Sequence, residues 1–249
     1  MEKKYKLTGE TINLGVKTLH RIEALKDFSY IKKGDKGGFI ENESNLSQSG
    51  DCWVYGNAKV SDNAMVCGNA KVYGNARVSD NAKVRDNAEV SFNALVIDNA
   101  RVYGNAMVCD DVVVYDNAKV FGHARVYGDA VVYGTARVYD KALVHGNCCV
   151  ACNAQVSGNA QVFGNAEIRG DAEIASNSDY IVFKNWWSSG RYFTWTKSNN
   201  MWKVGCFYGT GEQLIEKAYK DSELSGREYE KIVKYVESIL EVTMLTNLK

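Results

Sequence analysis

An aliphatic residue recurs at every sixth position from Val54, through Val60, Val66, Val72 and Val78, to Ile168 and Ile174. It does so at 21 consecutive positions without an exception or an insertion. Four positions after each comes a small residue, nearly always alanine (Ala58, Ala64, Ala70), with Val112 and Cys148 as the departures. Gly or Asp followed by a polar residue, usually Asn, fills the gap, as in Gly56-Asn57 and Asp62-Asn63. Ile40 and Leu46 start the pattern one step earlier, before a two-residue slip near Gly50 to Trp53. This period predicts a short strand in each hexad, with the aliphatic side chain inward and its two neighbours outward. The Gly/Asp-Asn pair predicts a corner, because these residues tolerate the left-handed backbone that β-branched residues resist. Alanine fits where three walls converge. Proline would delete a ladder hydrogen bond in any coil it entered, and the 249 residues contain none.

The Val-[Gly/Asp]-Asn-Ala hexads resemble the hexapeptide repeats of left-handed parallel β-helices, in which three hexads make one triangular coil. The resemblance covers residues 40–178 and implies an all-β left-handed parallel β-helix of about seven to eight triangular coils. At about 4.8 Å per coil, seven coils are about 34 Å long. Residues 1–39 lack the hexad and read as an N-terminal β cap, which an open coil end needs to cover its unpaired edge. Gly34-Asp35-Lys36-Gly37-Gly38 reads as a turn within it. Residues 179–249 read as a small C-terminal α+β domain. Three strands are expected at Tyr180–Trp187, Arg191–Thr196 and Met201–Tyr208. A helix starts at Thr210 with Gln213 completing a capping box and runs to about Asp221, and a second spans about Gly226–Glu241.

Counting in eighteens sorts the outward residues onto three faces. One displays Leu95, Ile97, Val113, Tyr115, Val131, Tyr133, Cys149 and Ala151, an apolar column across four coils. A contiguous exposed patch of this kind marks an interface, here read as the contact of a homodimer or homotrimer, with coverage by the C-terminal domain as the alternative. A second face stacks Lys83, Arg101, Lys119 and Arg137, with Arg85, Tyr103, Phe121 and Tyr139 beside them. Cations next to aromatics can hold a phosphate and a base together, so these eight residues form the candidate ligand site. The opposing reading pairs Asp80, Asp98 and Asp116 with the first three cations, leaving Arg85 and Arg137 uncompensated. The third face (Tyr55, Tyr73, Glu89, Met107, Arg125, Tyr127, Leu143, His145) is mixed.

Thirty basic and thirty acidic side chains leave no net charge, which argues against generic nucleic-acid binding. No apolar run suggests a signal peptide or a membrane span, and seven cysteines fit a reducing cytoplasm. Many hexapeptide-repeat proteins are acyltransferases that use a histidine at a subunit interface and a loop interrupting the coils. Here no loop interrupts the hexads, and His123 and His145 are spaced one coil plus four residues, so one chain supplies no three-histidine zinc site. Cys149 and Cys152 form a C-x-x-C with no second pair. No catalytic residue, metal or cofactor is assigned, and a non-catalytic protein is favoured over an enzyme.

Eight aromatics from Trp186 to Tyr208 (Trp186, Trp187, Tyr192, Phe193, Trp195, Trp202, Phe207, Tyr208) are mostly expected in a core, a minority forming a recognition platform. The segments Lys33–Ile40 and Trp202–Glu212 resemble stretches of hexapeptide-repeat proteins from bacteriophages and prophages. That resemblance implies a protein acting in a bacterial cytoplasm on something belonging to the host. The expected function is capture of a host ligand, in a concrete version a nucleotide-like defence signal. The alternatives are an inhibitor binding a host protein through the C-terminal domain, and an acyltransferase with His145 as base.

Overall fold

The computed structural model describes residues 2–187 and 189–246, with side chains through Leu240. It divides after Asp179 into two compact units. The first is a parallel β-solenoid of about eight turns. Its 21 two-residue strands run from Trp53–Val54 to Glu173–Ile174, and every inward aliphatic among them is fully buried. Each strand pairs in parallel with those 18 residues before and after it, as Val114 does with Val96 and Val132. Three walls result. Two have seven strands, and the third has ten because the cap adds three. The apolar column and the cation column lie on different walls.

The two-residue slip is visible as register. Ile40 pairs with Val60 and Leu46 with Val66, twenty residues on rather than eighteen. Tyr5–Leu14 and Lys17–Ala24 form an antiparallel hairpin, and Lys36–Ile40 joins it antiparallel before pairing in parallel with Lys59–Val60. Gly37 and Gly38 therefore belong to a strand, contrary to the turn expected there. A Cβ would meet the Val54 carbonyl at 2.5 Å and the Ala58 carbonyl at 2.6 Å respectively, so close backbone packing requires both glycines. The turn lies just before them, where the Lys32 N–H donates to the Asp35 carboxylate at 2.7 Å. Trp53 is buried although its position points outward, because Tyr5 and Phe28 cover it edge-on.

Corners are held by polar side chains acting between coils. Asp98 (φ 57°) accepts the N–H of Asp116 at 3.1 Å, and Asp116 accepts that of Gly134 at 3.0 Å. Asn69 donates to Asn87 and Asn87 to Asn105, both at 3.0 Å. Corner residues thus satisfy the next turn's backbone as well as reversing the chain.

The second unit has four antiparallel strands, not three: Tyr180–Lys184, Tyr192–Thr196, Met201–Val204 and Phe207–Gly209. The expected strand over Met201–Tyr208 folds back on itself at Gly205, whose φ of +54° supplies the turn. Helix α1 spans Gly211–Asp221 with Thr210 and Gln213 forming the capping box. Helix α2 spans Glu223–Thr246, starting three residues before Gly226. Ser222 closes α1 and its hydroxyl also accepts the Ser225 N–H at 3.1 Å, so the second helix begins at once. Gly226 lies inside it, and a Cβ there would meet the Tyr219 ring at 2.2 Å, so close packing of the two helices requires glycine at this position.

Candidate functional site

The candidate site is built on the strands Lys83–Val84, Arg101–Val102, Lys119–Val120 and Arg137–Val138, which pair in register, cation beside cation. The valines anchor each strand in the core, and alternation turns the preceding residue outward. Lys83, Arg101 and Arg137 are exposed and Lys119 is half-buried. Among the described residues, no carboxylate lies within ion-pair distance of any of the four. The corner aspartates do not pair with them. Asp80 accepts the Asp98 N–H at 3.5 Å, and the bonds of Asp98 and Asp116 go to the next corners as described. Arg85, expected to be uncompensated, is instead the one cation of this face with a partner, Asp86 at 3.0 Å. Neighbouring cations about one coil apart repel by about 1 kcal/mol in water, which the fold tolerates easily.

Beside the cations, the aromatic column is one continuous stack. The Arg85 guanidinium lies 4.4 Å from the Tyr103 ring centre, Tyr103 stacks on Phe121 at 4.9 Å, and Phe121 on Tyr139 at 5.0 Å, the three rings nearly parallel. The Tyr139 hydroxyl bonds to Gln155 at 3.4 Å. This changes the expected role of Tyr103, Phe121 and Tyr139. The faces between Tyr103, Phe121 and Tyr139 are spent on one another, so the gaps between these rings hold no open slot for a base. On the other side, Arg101, Lys119 and Arg137 share a groove of about 230 Å³ with Asn99, Asn117 and Thr135. Those three corner residues were missed in the sequence, although each sits two positions before a cation.

On the apolar wall, Leu95, Ile97, Val113, Tyr115, Val131, Tyr133 and Cys149 are half-buried in the single chain, and Ala151 is fully buried. Tyr115 and Tyr133 stack at 4.9 Å, and the Arg169 guanidinium lies 5.7 Å over Tyr133. Lys59 and Arg77 precede the column on the same sheet, and Glu167 follows it. The third wall, mixed in sequence, contains a second stack, Tyr127 on His145 at 4.8 Å and His145 on Phe163 at 5.7 Å. Its signal was ring-bearing residues spaced by eighteen. Cys148 fills an alanine position inside the coil, where burial pushes its thiol up to about 11. Among the described residues, no three His, Cys, Asp or Glu side chains converge on one point.

Hollows also occur away from the cation wall. A cavity of about 490 Å³ at the cap is lined by Lys3, Lys4 and Lys26. Lys3 pairs with Glu43 at 2.7 Å, and buried Lys4 donates to the carbonyls of Gly50 and Cys52 at 3.1 and 2.9 Å, so both are committed to the fold. Burial lowers the pKa of Lys4. In the second unit, Phe193, Trp195 and Trp202 enter the core, whereas Trp186 is 83 % exposed. Trp186 rims a groove of about 270 Å³ with Phe183, Trp187 and Tyr235, and the Trp187 indole N–H is buried there without a partner.

Comparison with known families gives one match. Residues 70–86, 100–116 and 118–134 fit the model described as the YdcK β-solenoid repeat, and these stretches carry Lys83, Arg85, Arg101, Tyr103, Lys119 and Phe121. No curated protein matches the chain significantly. The uninterrupted coils and this match together identify the chain as a repeat β-solenoid protein, similar over three of its turns to the YdcK repeat.

Proposed function

We propose that this protein is a non-catalytic binding protein of the phage type, which captures a phosphate-bearing ligand of its host on the Lys83–Arg101–Lys119–Arg137 face. It self-associates through Leu95, Ile97, Val113, Tyr115, Val131 and Tyr133. The observation that carries the ligand reading is four cations in register with no carboxylate partner among the described residues, since like charges left unpaired in a row favour an anion arriving from solution. An acyltransferase has less support, because no loop leaves the coils to shape an acceptor pocket and His145 is held between two rings. Arg101→Glu combined with Arg137→Glu should weaken binding of a nucleoside triphosphate at least 100-fold by calorimetry, with an unchanged urea midpoint. Equal affinity in the double variant rules the face out.

A second reading rests on the exposed Trp186 and its groove, which suit a contact with a host protein. In the full chain, Trp186→Ala should then abolish co-purification of that partner while anion binding stays unchanged. Retention of the same partner by the variant counts against it.

A further inference from the structure

We infer that the ligand of the cation face is a linear chain of phosphates lying along the solenoid axis, not a single nucleotide. The inference rests on the anion-binding reading above and specifies its ligand. Three observations converge on it.

The first is repetition. Successive coils repeat one arrangement along the groove, a cation on the strand and a neutral polar side chain at the corner before it: Arg101 with Asn99, Lys119 with Asn117, and Arg137 with Thr135, whose hydroxyl is donated to Asn153. Together with Lys83 the cations span three coil steps, about 14 Å at about 4.8 Å each. A compact anion fills one or two rungs and leaves the remaining cations repelling one another. A chain neutralises all of them, and each contact adds its own share of counterion release.

The second is a break in the corner ladder. Asn69, Asn87 and Asn105 bond to one another from coil to coil. On the corner beside the cations, Asn63 bonds to Asn81, and Thr135 bonds to Asn153, which bonds to Asp171. Between them, Asn99 and Asn117 are also stacked asparagines, yet neither side-chain amide has a hydrogen-bond partner among the described residues. The ladder is open at the rungs where the groove lies, leaving amide N–H donors free for ligand oxygens.

The third is the absence of a row of open faces for successive bases. Binding of single-stranded nucleic acid combines a cationic track with open aromatic faces. Here the rings of Tyr103, Phe121 and Tyr139 cover one another and Arg85 covers the Tyr103 end, so the stack keeps one uncovered face, that of Tyr139 at its far end. A phosphate chain without bases is the ligand this geometry suits.

The test is calorimetric titration of the full-length protein with orthophosphate, tripolyphosphate, long-chain polyphosphate, ATP and oligothymidylate at one ionic strength. The expected result is at least a tenfold gain in affinity from tripolyphosphate to the long chain, with ATP no better than tripolyphosphate. The triple variant Arg101→Gln, Lys119→Gln, Arg137→Gln should lose that gain, and Asn99→Leu with Asn117→Leu should reduce long-chain affinity about tenfold. Its fold is checked by an unchanged urea midpoint. Tighter binding of oligothymidylate than of polyphosphate makes this a nucleic-acid track and overturns the inference. Affinity independent of chain length overturns it too, while the anion reading survives. Failure of every probe to bind removes both.

Discussion

Val126→Asp should lower the unfolding free energy of the solenoid by about 4 kcal/mol or more, whereas Arg125→Asp, one residue earlier on the same strand, should change it by less than about 0.5 kcal/mol. The two positions are adjacent on one strand and point their side chains in opposite directions. Val126 is fully buried and its strand neighbours are Val108 and Val144, while Arg125 is exposed. A carboxylate inside the prism finds no polar partner in a layer of valine and alanine, so it must either take up a proton at a cost or open the coil. Because a solenoid is held by nearest-neighbour contacts, damage at one rung separates the coils on either side of it. Urea denaturation followed by circular dichroism should therefore show an early transition for Val126→Asp. Coincident curves for the two variants contradict the inward-outward alternation on which every face assignment depends.

The second large effect concerns the apolar wall. On the proposed self-association through this wall, Val113→Glu with Val131→Glu should weaken association at least about 1000-fold and leave a monomer in sedimentation experiments. Val113 and Val131 pair directly in one sheet and lie at the centre of the column. The change places two carboxylates on every subunit where the opposing surface would be aliphatic and aromatic. Each such group loses hydration without gaining a partner, at about 1–3 kcal/mol apiece, and any closed assembly repeats the cost in each subunit. The fold itself should survive, since both positions face outward, so the circular dichroism spectrum stays unchanged. Wild-type protein that sediments as a monomer at micromolar concentration removes this interface from the proposal.

How far the chain could be read follows from how its contacts are arranged. In the coils, a residue's neighbours on the sheet are eighteen positions away in either direction, so the hexad period, with the three hexads per coil that the resemblance to hexapeptide repeats implies, assigns Arg101 and Lys119 to one wall and Val113 and Val131 to another. Where two partners compete for one group, the period is silent. Asp98 lies three residues from Arg101 and eighteen from Asp116, and its carboxylate goes to the more distant backbone N–H. Arg85 found Asp86, its immediate neighbour, which counting by coils did not single out. The flanks follow other rules. Gly226 reads as a helix boundary by propensity but sits inside α2, where glycine serves packing: the Tyr219 ring leaves no room for a side chain. Gly205 looked like part of a strand and forms the turn of a hairpin.

What the amino-acid order determined by its period was the rungs, the corners and the buried valines; the three-sided prism and the sorting of surface residues into columns followed once the resemblance supplied three hexads per coil. A rule of six residues applied 21 times leaves only one register in which every aliphatic side chain is buried. Tertiary structure alone decided which polar groups are spent and which stay available. It tied Asp98 and Asp116 to the backbone, stacked Tyr103, Phe121 and Tyr139 on one another, left Asn99 and Asn117 open, and set Trp53 beneath the cap. The reason is that burial of a repeated apolar position is a property of the pattern, whereas a hydrogen bond goes to whichever of several nearby partners has the better geometry. That choice is settled only when neighbouring coils stand side by side.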